Sequence, residues 1–220
     1  MITLSTLDWF HGQTPPPRTP PKGRRGYHHG DLKAALIEHA KTILRREGVD
    51  ALTLRAVARA AGVSQAAPYR HFPDRRALIA AVAEAGFRDL GQAMTAMAST
   101  AEGRLGLKQV AFAYVRFALD RPADYRIMFG PEVANTEDLP ELRETAQSVL
   151  GFVAEGIAQL QRAGLVGAGD PALMAVATWS MLHGLVMLTL DGQTAGVAPS
   201  VDALVEEATR IMMFGLAPRA

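Results

Sequence analysis

Residues 53–72 read "TLRAVARAAGVSQAAPYRHF", and the spacing inside this stretch decides how the rest of the chain is read. Leu54, Val57 and Ala58 fall on one side of a short helix that Thr53 can cap and Gly62 can stop. Ser64 caps a further helix, which Pro73 ends. The joint between them, Gly62-Val63-Ser64, is too tight for antiparallel packing and suits a steep crossing. Gly62 can supply the positive φ, while Ala58 and Ala61 allow the helices to approach closely. The spacing therefore predicts a helix-turn-helix, whose second helix, about 13 Å long, fits lengthwise in a major groove.

The composition of that second helix agrees with such a role. Pro68 sits near its first turn, where a missing N–H costs little. Ala66 and Ala67 keep the helix front slim, and Tyr69, Arg70 and His71 offer rings and donors to bases and phosphates. Phe72 is expected to pack inward. Asp74 can cap a long helix whose first residues are Arg75 and Arg76. Two cations at a helix start oppose the macrodipole, at about 0.3–1 kcal/mol each. A phosphate there reverses the balance, because dipole, free N–H groups and guanidiniums then act together. An ordinary solvated helix face is the plainer alternative.

Working outward, residues 13–26 ("QTPPPRTPPKGRRG") are rich in proline and basic residues and read as an extended arm, with Trp9 and Phe10 as isolated apolars before it. The start "MITLSTLDWFHGQT" lacks both a basic opening and a sustained apolar run, so it is not read as a signal peptide. From Asp31 onward apolar residues recur at helical spacing almost throughout. They predict an all-α protein of about nine helices. The expected organisation is an arm over 1–26, a three-helix helix-turn-helix domain over 27–80, and a helical ligand-binding and dimerisation domain over 81–220.

Charge divides along the same line. Residues 18–80 hold 13 Lys/Arg against 5 Asp/Glu, whereas residues 81–220 hold 10 against 16. A basic front on an acidic remainder fits one part that meets a polyanion and another that does not. The 220-residue chain has no cysteine, which excludes disulfides and thiolate metal sites and fits a cytoplasmic setting. Phosphate-cradling glycine loops and Ser/His/Asp sets at motif spacing are also missing, and the adjacent His28-His29 pair is poorly spaced for a metal. These features argue against an enzyme and give no metal or cofactor. Residues 171–190 ("PALMAVATWSMLHGLVMLTL") carry no Asp, Glu, Lys or Arg and are long enough to span a bilayer. Interruptions at Thr178, Ser180, His183, Gly184 and Thr189, with Asp170 and Asp191 as flanks, favour burial in protein over lipid.

The block "GVDALTLRAVARAAGVSQAAPYRHFPDRRALIAAV" resembles the DNA-binding domain of TetR-family transcriptional regulators. The likeness covers roughly residues 30–85, through "TLRAVA", "AGVS" and "YRHFPDRRAL". It implies that Gln65, Ala66, Ala67, Tyr69, Arg70 and His71 face bases and that Arg55 reaches one from the preceding helix. Thr53 and Arg75 would hold phosphate, with Arg75 standing where lysine is common. Arg76, His28, His29, Lys22, Arg24 and Arg25 are further phosphate candidates. "ATWSMLHGLVMLTLDG", with Trp179, His183 and Gly184, resembles a subgroup carrying Trp-x-x-x-His-Gly in its C-terminal domain. That likeness implies a four-helix dimer interface from the last two helices, with Met174, Met181, Leu185, Leu188, Leu204, Ala208, Ile211 and Met212 as candidates.

The family also implies a pocket for a small-molecule inducer, with Tyr114, Phe117, Tyr125, Met128, Phe129, Phe152, Trp179 and His183 as its candidate lining. Aromatic residues at helical spacing are as often plain core, and a buried histidine satisfied by backbone is equally ordinary. The combined expectation is a homodimeric regulator, most simply a repressor released from a palindromic operator by an apolar or amphipathic inducer. A non-specific helical DNA binder or adaptor, and less readily an all-α enzyme, are the alternatives.

Overall fold

The structure, a computed structural model, describes residues 32–100, 103–135 and 137–214. Eight α-helices follow in order: α1 (Leu32–Glu47), α2 (Leu54–Ala61), α3 (Arg75–Ala98), α4 (Gly103–Asp120), α5 (Pro122–Met128), α6 (Pro140–Arg162), α7 (Pro171–Leu190) and α8 (Val201–Phe214). Short 3-10 turns occupy Pro68–Arg70 and Pro131–Val133. Among the described residues there is no strand, so the all-α expectation holds.

Asp31 and the arm over 1–26, including Trp9 and Phe10, lie outside the described residues, as do His28, His29, Lys22, Arg24 and Arg25.

The expected ninth helix is the one that differs. Residues 64–72 do not form an α-helix: Ala67 N–H donates to the Ser64 carbonyl at 3.0 Å, and a 3-10 turn follows. The reason is Pro68. An α-helix starting at Ser64 closes its first bond through the N–H of residue 68, which proline lacks, so the chain takes the tighter register. His71 and Phe72 N–H groups both return to the Pro68 carbonyl at 2.9 Å, in place of a continuous α-helical ladder.

The scaffold around this segment follows the sequence closely. Thr53 Oγ1 accepts from Ala56 N–H at 3.1 Å, capping α2. Gly62 ends α2 at φ 68°, and Val63 N–H closes onto the Ala58 carbonyl at 3.0 Å. Leu54, Val57, Ala58, Pro68 and Phe72 are buried together with Leu36, Ala40 and Leu44 of α1.

Helix α3 runs unbroken from Arg75 to Ala98, through the domain boundary expected after residue 80. It packs on α4, α5 and α6, while α7 lies against α6, α4 and α8. Gly86 of α3 makes the α5 contact possible: a Cβ there would lie 2.8 Å from the Met128 side chain. Among the described residues three ion pairs tie α1 to this body, the longest between exposed Lys33 and Glu141 of α6 at 3.8 Å. Buried Lys41 bonds Asp89 of α3 at 2.9 Å, and Arg45 Nε meets both carboxylate oxygens of Asp124 in α5 at 3.0 Å.

Candidate functional site

The helix-turn-helix presents a polar outer surface on an apolar base. Arg55, Gln65, Ala66, Arg70 and His71 are exposed and Ala67 is partly exposed. Tyr69, a large aromatic, is 51% exposed on the 3-10 turn. Arg55 and Arg70 have no ion pair or hydrogen bond among the described residues. Their guanidiniums therefore stand available, as does the half-exposed Tyr69 side chain.

Arg75 and Arg76 differ from the sequence reading of two cations waiting for phosphate. Arg75 Nε donates to the Leu52 carbonyl at 2.9 Å and its Nη2 to the Val49 carbonyl at 2.6 Å, stapling the start of α3 to the α1–α2 loop. Arg76 pairs with Asp138 and donates to the Asn135 carbonyl at 2.7 Å and the Glu132 carbonyl at 3.3 Å. The bond from Arg76 holds the exposed Asp138 carboxyl below its ordinary value. Both helix-start cations thus complement carbonyls and a carboxylate of their own chain, which also offsets the dipole cost. Replacing Arg75 by alanine removes both bonds and strands the Leu52 carbonyl, while the Val49 carbonyl keeps the Leu52 N–H at 3.1 Å, so we expect a stability loss of about 1–3 kcal/mol, read from the urea midpoint. An unchanged midpoint would show that water replaces the staple.

The second site is a cavity of about 610 Å³ in the helical body, walled by α3, α4, α5, α6, α7 and α8, with Val166 and Gly167 of the α6–α7 connection also in its lining. Ala146, Val149 and Val153 carry the α6 stripe into it rather than into packed core. Of the aromatic candidates, Tyr114, Phe129, Trp179 and His183 line it, together with Met128. The other three stand apart. Tyr125 is fully buried behind the wall, and Phe117 is core with the Arg121 guanidinium 5.2 Å above its ring. Phe152 is half-buried on α6 and forms no part of the lining. Phe87 and Met94 of α3 belong to the lining, and the helix-face pattern of α3 could have indicated them.

A polar relay crosses one end of this apolar space. Trp179 Nε1–H donates to the Tyr114 hydroxyl at 3.0 Å, Tyr114 and Tyr125 share a bond of 2.6 Å, and Tyr125 meets His183 Nδ1 at 2.7 Å. Phe129 stacks into the group, with ring centroids 4.9 Å from Tyr125 and 4.7 Å from His183. Burial pushes the Tyr114 hydroxyl up to about 12 and Tyr125 higher still, and lowers His183 from its ordinary value. All three groups are therefore neutral at physiological pH.

Helix α7 supplies the third feature. It is long and apolar enough to cross a membrane, yet only Ala175, Leu182 and Val186 are buried in the chain. Leu173 (70% exposed), Val176, Met181 and Leu188 form an open apolar face at helical spacing. Two interface candidates point elsewhere: Met174 and Met212 line the cavity, and Met174 Sδ accepts from Gln161 Nε2 at 3.4 Å. Leu185, Leu204, Ala208 and Ile211 are half-buried. The sequence reading missed Leu173 and Val176, although both share the spacing of Met181 and Leu188.

A helix-turn-helix with an exposed cationic and aromatic surface, joined by one continuous helix to a cavity-bearing bundle, defines a DNA-binding regulator of the sensing kind. Residues 36–82 match the family model for bacterial regulatory proteins of the tetR family, and residues 107–212 match the tetracyclin repressor-like C-terminal domain. The chain belongs to the TetR family and is a ligand-responsive, DNA-binding transcriptional regulator.

Among solved structures, a protein of unknown function from Rhodococcus sp. RHA1 is 36% identical over 88% of this chain and 100% of that one, with a TM-score of 0.77. The fatty acid degradation regulator FadR from Bacillus halodurans is 16% identical over 85% and 97%, with a TM-score of 0.69. The TetR family regulator PfmR from Thermus thermophilus is 17% identical over 83% and 99%, with a TM-score of 0.63. The last two share the fold. No curated protein matches the chain.

Proposed function

We propose that the chain is a cytoplasmic, homodimeric repressor rather than an enzyme, holding a two-fold symmetric operator until a small molecule fills the cavity. Residues 1–26 then serve as a DNA-tracking arm, 27–80 as the DNA-binding domain and 81–220 as the sensing and dimerising domain. The observation that carries this reading is the contrast within the helix-turn-helix. Arg75 and Arg76 are spent on the chain itself, whereas Arg55, Tyr69 and Arg70 are left facing out.

In the proposed complex Gln65, Ala66, Ala67, Tyr69, Arg70, His71 and Arg55 meet base edges. Thr53 donates its hydroxyl proton to phosphate, since its oxygen already accepts from Ala56 N–H. Arg75 adds long-range attraction through its charge, and the basic residues of the arm extend the phosphate track. Selection of binding sites from a random DNA pool tests the reading. A regulator prefers its selected site over random DNA by at least about 10³-fold, and equal affinity would leave the non-specific binder instead.

The open α7 face supports a partner of the same kind. A symmetric copy would cover Leu173, Val176, Met181 and Leu188 against one another and add α8, forming a four-helix interface without lipid. Leu173→Glu with Leu188→Glu should turn the dimer into monomers in sedimentation and lower operator affinity at least tenfold, about 1.4 kcal/mol. A double variant that still sediments as a dimer would move the interface elsewhere.

Release requires the cavity to communicate with α1. Tyr125, in the relay, is preceded directly by Asp124, which holds Arg45 of α1. A ligand that shifts α5 through Tyr125 therefore pulls on the carboxylate that anchors the DNA-binding domain. Linkage then requires operator DNA to weaken ligand binding by the same factor.

A further inference from the structure

We infer that the cavity is built for an uncharged amphipathic molecule: an apolar body with one hydroxyl or carbonyl group, seated at Tyr114 and His183. This rests on the ligand-sensing reading above and adds the chemistry of the ligand.

Two features carry it, the first being the lining. Leu90, Leu107, Val110, Val149, Val153 and Ile157 are typical of the walls, and among the described lining residues there is no Asp, Glu, Lys or Arg. A carboxylate or phosphate entering this space loses its hydration with no cation to replace it, a cost that a neutral molecule avoids. Protonating His183 could supply a cation, but its burial already disfavours that charge.

The second feature is a proton count in the relay. Trp179, Tyr114, Tyr125 and neutral His183 bring one polar hydrogen each, four in all, to the three hydrogen bonds that join them. One hydrogen is always left over. If Tyr114 donates to Tyr125 and Tyr125 to His183 Nδ1, the spare hydrogen is on His183 Nε2. If the order reverses, His183 Nδ1–H donates to Tyr125 and Tyr125 to Tyr114, and the spare hydrogen is the Tyr114 hydroxyl's. Leaving it on Tyr125 is costly, because that residue is fully buried.

The spare donor thus falls on Tyr114 or His183, both of which line the cavity. In the second order His183 Nε2 also becomes an acceptor. A carbonyl can take the donor, and a hydroxyl can use donor and acceptor together. The other polar lining groups compete weakly. Thr209 Oγ1 is spent on the Val205 and Glu206 carbonyls at 2.9 Å each, and Gln147 is exposed. Thr178, one residue before Trp179, adds a hydroxyl near the same end.

The test uses the full chain in a Trp9→Phe background, so that Trp179 is the sole indole. Medium-chain n-alkan-1-ols and the matching n-alkanoates, ionised, are titrated while indole fluorescence is followed. We expect saturable alcohol binding, about 10²-fold tighter than the carboxylate of equal length. Tyr114→Phe should weaken the alcohol by about 3- to 10-fold, with helicity by circular dichroism unchanged.

Carboxylates binding as well as alcohols, no saturable binding by any alcohol, or a folded Tyr114→Phe variant with unaltered alcohol affinity would each overturn the inference. Should that variant not fold, the alcohol-to-carboxylate ratio of the parent chain decides alone. Release of selected DNA is scored separately. Alcohol binding without release leaves the ligand chemistry standing and removes induction, whereas release by carboxylates alone keeps induction and removes the ligand chemistry.

Discussion

Changing Arg55, Tyr69 and Arg70 together to alanine should lower affinity for the selected operator by about 3–9 kcal/mol, at about 1–3 kcal/mol for each side chain that reads a base. The protein should meanwhile unfold at the same temperature as its parent. The two halves of this result belong together. Arg55 and Arg70 have no protein partner among the described residues, and Tyr69 is half-exposed, so truncation removes no internal bond and creates no cavity. Surface changes of this sort stay within about 0.5 kcal/mol of the parent stability. Binding to random DNA should fall much less, because the arm and the remaining cations still attract phosphate. Electrophoretic mobility shifts with selected and scrambled duplexes distinguish the effects. A triple variant that holds the selected duplex as tightly as the parent would remove the helix-turn-helix from recognition altogether.

The fold is readable because the helix signals are local. Thr53, Gly62 and Asp74 act within one turn of themselves, and each caps or ends the helix expected of it. The apolar stripes of α4 and α6 are readable for the same reason. What those stripes face is not. Val149 and Val153 look like core by spacing, yet they border empty volume, because a cavity is a mismatch between distant helices that no single helix records. Pro68 shows a local rule applied one step short. Its missing N–H reads as one lost bond, whereas residues 64–72 form turns and a three-residue 3-10 helix, Pro68–Arg70, in place of an α-helix. Arg75 and Arg76 show the reverse. Their charge at a helix start does need an anion or acceptor, but Val49, Leu52 and Asp138 come from segments whose approach only the fold determines.

Replacing Arg45 by methionine should destabilise the fold by about 3 kcal/mol. Asp124 is 3% exposed and has no other partner among the described residues, so the variant leaves a buried carboxylate uncompensated. Breaking such a pair costs about 3–5 kcal/mol. The lower end applies because the Arg45 side chain is 43% exposed, which lets water reach the orphaned oxygens. Adding Asp124→Leu to Arg45→Met should recover most of the loss, since two apolar groups restore a neutral contact between α1 and α5. The double variant then separates stability from signalling. With the carboxylate gone, movement of Tyr125 has no ion pair through which to turn α1. A stable, operator-binding double variant should keep its ligand affinity while the ligand no longer weakens DNA binding. If the ligand still releases DNA from that variant by the parental factor, the coupling runs through α3, where Lys41 holds Asp89, and α5 is only a structural brace.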